Sequence, residues 1–140
     1  MARITRINHI GLAVAGDEAA RLWQALGLPQ AGSEAVPAEA VNVAFFPAGE
    51  SRLELLQPLG AEGPVQKFLT NRGEGVHHIC FDVDDLAGLL AQLAAAGVEL
   101  VNAEPRPGAE GSLVAFIHPR AAHGVLIELR QSAAETALDG

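Results

Sequence analysis

A single cysteine, Cys80, is all the thiol chemistry available to this 140-residue chain, so an internal disulfide framework is excluded. Basic residues are scarce: 9 Lys and Arg stand against 17 Asp and Glu, a formal net charge of −8. Such a surface argues against non-specific nucleic-acid binding, which needs a basic face. It still permits an anionic small ligand, provided that Arg or Lys side chains gather locally. No apolar run approaches the length of a membrane span, and no apolar stretch follows Arg3 and Arg6 to form a secretion signal. The expectation is a soluble, cytoplasmic protein with no membrane partner. Apolar residues at 49% and charged residues at 19% suit one packed core rather than a disordered chain.

What is present is an internal repeat. Ile7-Asn8-His9-Ile10-Gly11-Leu12-Ala13-Val14 and Val76-His77-His78-Ile79-Cys80-Phe81-Asp82-Val83 are runs of one shape, each with β character. An acidic helix start follows each, Asp17 in the first and Asp84 or Asp85 in the second. Helical spacing then places Ala19, Leu22, Trp23 and Leu26 on one stripe, and Leu86, Leu89, Leu90 and Leu93 on its counterpart. Gly27 and Gly97 stand where a glycine ends a helix. Three strand-like stretches come next in each half. They fall at about 30–36, 41–47 and 51–57, then at about 98–102, 113–118 and 125–130. Between the halves, Val65 to Arg72 reads as a short helix bounded by Pro64 and Gly73.

These elements predict an α+β fold of two tandem βαβββ modules. They would form a curved eight-stranded mixed sheet around a metal site, with helices outside. One domain, 1–140, would comprise module 1 at about 5–58, a linker at about 59–74, module 2 at about 75–131 and a tail, 132–140.

The repeat singles out four residues. His9 and His78 hold one place in the first strand of each module, and Glu54 and Glu128 hold one place in the last. Period-two alternation sets His9, Gly11 and Ala13 opposite Ile10, Leu12 and Val14, and sets His78 and Cys80 opposite Ile79, Phe81 and Val83. A carboxylate on the inner face of an apolar strand is costly unless paired or metal-bound. Two such carboxylates matched by two histidines suit one divalent ion, whether Co²⁺, Mn²⁺, Ni²⁺, Fe²⁺ or Zn²⁺. His77 is expected to be structural and Cys80 a small packing residue. His118 and His123 flank a loop, and Asp82, Asp84 and Asp85 read as a strand end with a helix cap.

These residues also carry a resemblance. The tandem pattern with its His/Glu/His/Glu set is similar to the vicinal oxygen chelate superfamily. Within it the chain resembles methylmalonyl-CoA epimerases over roughly residues 5 to 131. The resemblance rests on Asn8-His9-Ile10-Gly11, Glu54-Leu55-Leu56-Gln57-Pro58-Leu59, Gly73-Glu74-Gly75-Val76-His77-His78-Ile79, Glu104-Pro105-Arg106-Pro107-Gly108-Ala109, His118-Pro119-Arg120 and Gly124-Val125-Leu126-Ile127-Glu128-Leu129. It implies interconversion of (2R)- and (2S)-methylmalonyl-CoA by proton transfer through a metal-stabilised enolate, with Glu128 as both ligand and base. It also implies a homodimer.

The family's second base is a glutamate near position 43, where this chain has Asn42-Val43-Ala44; Glu39 lies near but out of register. Arg106 and Arg120, with Lys67 behind them, are the cations expected to meet the acyl-CoA. Competing readings are a glyoxalase-type isomerase of a glutathione hemithioacetal, a dioxygenase using two histidines and one glutamate, and a non-catalytic binding protein of the same fold.

Overall fold

The computed structural model describes residues 1–135; positions 136–140 of the expected tail lie outside the described residues. Its elements follow the repeat: β1 (Ile4–Ala13), α1 (Ala19–Ala25), β2 (Gly32–Val36), β3 (Val41–Ala48), β4 (Ser51–Pro58), α2 (Pro64–Arg72), β5 (Gly75–Val83), α3 (Leu86–Ala95), β6 (Arg106–Pro107), β7 (Leu113–Ile117) and β8 (Leu126–Gln131). The described residues divide into two compact units, one of His9–His77 and one of Met1–Asn8 with 78–135.

In the His9–His77 unit, β4 pairs parallel with β1 and antiparallel with β3, and β3 pairs antiparallel with β2. The two faces of these strands have different tenants. Leu12, Val14, Ala44, Phe46, Leu53 and Leu55 pack with Ala19, Ala20 and Trp23 of α1. Ala13, Val41, Val43, Phe45 and Leu56 pack with Val65, Phe68 and Leu69 of α2. The stripe expected on α1 is corrected in part, since Leu22 and Leu26 are exposed while Ala20 takes up packing. The helix spans only seven residues, so just a narrow strip of it reaches the strands.

The other unit repeats the plan. Strand β8 pairs parallel with β5 and antiparallel with β7, which pairs with β6. Val83, Ala115, Leu129 and Ile127 meet Leu86 and Leu90 of α3. Each of these two leucines is fully buried, which contributes about 1.5–3 kcal/mol per side chain. Asp85 caps α3, its carboxylate accepting from the Gly88 N–H at 3.1 Å.

The stretch expected as a strand at 98–102 is corrected. It makes one isolated bridge, Leu100 to Ile117, and the second strand of that module is instead the two-residue β6. Two backbone bonds flank that bridge, from the Val101 N–H to the Phe116 carbonyl at 2.8 Å and from the His118 N–H to the Glu99 carbonyl at 3.1 Å. Beyond them the Asn102 side-chain amide accepts from the Phe116 N–H and donates to the Glu104 carbonyl, so the pairing goes no further.

The hydrogen-bonded strand order is β2-β3-β4-β1-β5-β8-β7-β6, a mixed eight-stranded sheet with its helices peripheral. The expectation of a curved sheet is not met, because the sheet is open and neither closes nor curls strongly. One physical reason lies at its last strand. Two residues, one of them Pro107 with no N–H to donate, cannot extend a ladder toward another edge.

Candidate metal and active site

Strands β1 and β4 build the first donor pair, within the His9–His77 unit. Their register sets Gly11 opposite Glu54 and His9 opposite Arg52. Alternation carries His9 and Glu54 onto the face shared with Ala13 and Leu56, where α2 packs. Both side chains are buried, and His9 Nδ1 lies 3.5 Å from Glu54 Oε2. Gly11, the residue paired with Glu54, places no side chain beside the carboxylate. Burial raises the Glu54 pKa; the hydrogen bond and charge of Arg52 oppose that rise without cancelling it.

Strands β5 and β8 build the second pair, in the other unit, with the same register. Cys80 is opposite Glu128, and His78 precedes Cys80 by two residues as His9 precedes Gly11. His78 Nε2 lies 3.9 Å from Glu128 Oε1, with both side chains largely shielded. Cys80 is fully buried, its Sγ within 4.8 Å of a Glu128 oxygen.

Does this donor chemistry fit a metal? Two ligands each about 2.1 Å from a common ion can be at most roughly 4.2 Å apart. Both His–Glu separations fall below that ceiling. Imidazole nitrogens and carboxylate oxygens suit borderline and hard divalent ions alike. His9, Glu54, His78, Cys80 and Glu128 are thus candidate ligands for a divalent metal.

The other expected residues are placed as follows. Arg106 is exposed on β6, and Lys67 is exposed on α2. Arg120 is exposed and held by Glu99, donating from Nη2 at 2.7 Å and Nε at 3.2 Å. That pairing raises the Arg120 pKa and lowers the Glu99 pKa. His118 Nδ1 accepts from the Arg120 N–H, and His123 is exposed with a φ of 60°. His77 sets its ring edge-on against Phe68, 5.2 Å between centroids, and burial lowers its pKa. Val43 is buried, while Glu39 is exposed in a single 3-10 turn. A cavity of about 210 Å³, lined by Asp17, Gln30, Ser33, Asn42 and Gln57 among others, adjoins α1. Leu55 and Gln57, which line it, alternate with Glu54 along β4, so it opens on the face away from that carboxylate.

Two residues escaped the sequence reasoning. Arg52 donates from Nε to Glu54 Oε2 at 2.7 Å, a contact signalled by a cation two residues before an inward carboxylate. Asp82 does more than end a strand. Arg6, Asn8 and Arg130 all donate to its carboxylate. No local pattern announces that cluster, whose members are far apart in sequence.

Comparison with known proteins places the arrangement. The model of the Glyoxalase/Bleomycin resistance protein/Dioxygenase superfamily matches residues 8–116. The human mitochondrial methylmalonyl-CoA epimerase is 38% identical over 130 residues, covering 91% of this chain and 74% of that protein. The ethylmalonyl-CoA/methylmalonyl-CoA epimerase of Cereibacter sphaeroides is 37% identical, covering 91% of this chain and 98% of its own length. A methylmalonyl-CoA epimerase solved in complex with methylmalonyl-CoA and NH4+ superposes with a TM-score of 0.78 at 36% identity, over 94% of this chain and 97% of that one. With a matched stretch that takes in His9, Glu54 and His78, the chain belongs to the Glyoxalase/Bleomycin resistance protein/Dioxygenase superfamily.

Proposed function

We propose that this chain is a metal-dependent epimerase interconverting (2R)- and (2S)-methylmalonyl-CoA. The observation that carries this reading is the twofold His–Glu construction, one pair per unit in matching register. It occurs in a chain 37–38% identical to the Cereibacter sphaeroides and human epimerases, which bear that activity in their names. His9, Glu54, His78 and Glu128 are proposed to hold one ion, Co²⁺ before Mn²⁺, Ni²⁺, Fe²⁺ or Zn²⁺. When bound, that ion supplies Lewis-acid stabilisation of negative charge on the substrate oxygens.

The chain's own contribution is the handling of the proton. Glu128 is the proposed base: its carboxylate takes the proton from C2 while the C–H electron pair passes into the adjoining carbonyl. Return of a proton to the opposite face gives the other epimer. Buried Val43 cannot supply that second acid, and its neighbours on the Glu54 face, Val41 and Leu56, are equally inert. Arg106 and Arg120 are proposed to meet the CoA phosphates, which would draw Arg120 from Glu99. A homodimer, by family analogy, and a cytoplasmic location complete the proposal. Among the described residues, no helix is long and apolar enough to cross a membrane.

The test is proton exchange at C2. In D₂O, metal-loaded protein should exchange that proton of methylmalonyl-CoA, followed by NMR, and Glu128→Gln should slow exchange by about 10²–10⁴-fold. The ethylmalonyl homologue is assayed alongside because the Cereibacter sphaeroides relative carries both names. No exchange of either, with turnover of the methylglyoxal–glutathione adduct, would move the assignment to the glyoxalase-type isomerase.

A further inference from the structure

The His9–Glu54 pair has a third member that the proposed reaction does not use. Arg52 lies two residues before Glu54 on β4 and so projects from the same face. Its Nε donates to Glu54 Oε2 at 2.7 Å, the same oxygen that lies 3.5 Å from His9 Nδ1. The guanidinium carbon also lies 5.1 Å from the centroid of the Phe45 ring, and Phe45 is the β3 residue registered opposite Glu54. Arg52 is therefore held twice, by the ring beneath it and by the carboxylate beside it. Its side chain remains 45% exposed, whereas that of Glu54 is 9% exposed.

An exposed arginine gains little from an ordinary surface ion pair. Here one end of the pair is a carboxylate inside an apolar wall, among Val43, Leu56 and Phe45. A guanidinium offers several donors in a fixed plane, so a bond through Nε fixes the direction of the carboxylate as well as its charge.

We infer that Arg52 is a positioning residue for the metal site: it holds the Glu54 carboxylate turned toward His9, so that the ion meets an oriented ligand. This rests on the four-ligand reading proposed above. A carboxylate oxygen has lone pairs for both an N–H donor and an ion, and groups that orient a ligand in this way typically set metal affinity by 10–100-fold. Arg52 acts through Glu54 and touches no reacting atom.

The experiment is a double-mutant cycle on metal affinity, measured by calorimetry on the purified full chain. The variants are Arg52→Met, Glu54→Gln and both together, with Arg52→Lys as the conservative case. Arg52→Met should weaken Co²⁺ binding about 10–100-fold. It should add almost nothing in the Glu54→Gln background, because its target is already gone. Arg52→Lys, which keeps the charge and loses the plane, should fall between wild type and Arg52→Met. Unfolding midpoints of the metal-free variants serve as the control. Equal Co²⁺ affinity in wild type and Arg52→Met overturns the inference while leaving the metal site intact. An equal loss in both backgrounds also overturns it, since Arg52 would then act by another route. A wild-type chain that takes up no Co²⁺, Mn²⁺ or Zn²⁺ removes the four-ligand reading and this role with it.

Discussion

Ala40 shows how one side chain can oppose the conformation its backbone adopts. It ends the 3-10 turn Pro37–Glu39 with φ 53° and ψ 42°, the left-handed region where a Cβ crowds the backbone. Gly63 approaches so closely that a Cβ built on it would be 3.0 Å from that of Ala40. Ala40→Gly removes the strain, at the cost of a freer unfolded chain. The expected net gain is about 0.5–1 kcal/mol by urea denaturation. A loss of stability would show that the Ala40 methyl makes packing worth more than the strain.

Asp82 is the second residue with a measurable signature. Burial alone would raise its pKa, but the hydrogen bonds from Arg6, Asn8 and Arg130 outweigh burial and hold it below the ordinary value. For a carboxyl depressed in the folded state, the stabilisation is complete above the unfolded pKa. It is lost as pH falls through the folded one. Asp82→Asn should therefore lower stability at neutral pH and flatten the acid limb of the pH–stability curve below about pH 4. An unchanged acid limb would mean that the cluster is electrostatically idle. Histidine and glutamate at matched places in a repeat were legible from sequence because strand alternation is local. The Asp82 cluster was not, because it joins Arg6 to residues more than seventy positions away.

Among the elements, the legible ones were those whose core face repeats with a fixed period. Strands β3, β4 and β8 fall close to their expected spans, and α2 begins at Pro64 and ends before Gly73. Asp85 caps α3 as an N-cap aspartate should. The illegible element was the second strand of the second module. Val98 to Asn102 has strand-like composition, yet Asn102 is buried and spends its amide on the Phe116 N–H and the Glu104 carbonyl. Propensity says nothing of a side chain that takes over where the backbone bonds stop. Asn102→Ala leaves the Phe116 N–H without that acceptor, and should cost about 1–3 kcal/mol. Amide hydrogen exchange at Phe116 should speed up with it. Unchanged exchange there would show that the backbone ladder closes over the gap without Asn102.

For the whole molecule, duplication was the most informative signal in the sequence, because it predicted a site twice over. Gly11 faces Glu54 in one ladder and Cys80 faces Glu128 in the other, each with a histidine two residues earlier. What duplication could not supply was curvature. Two modules can repeat a strand order without their outer edges meeting, and β6 is too short for its edge to extend the ladder.

The claim on which the function rests is that the two His–Glu pairs serve one ion. Metal stoichiometry by mass spectrometry of the native protein tests this directly, for wild type and for His9→Ala and His78→Ala separately. The account predicts one ion per chain in the wild type and loss of that same ion in either variant. Two ions per wild-type chain, each variant losing only one, would contradict it and leave two independent sites.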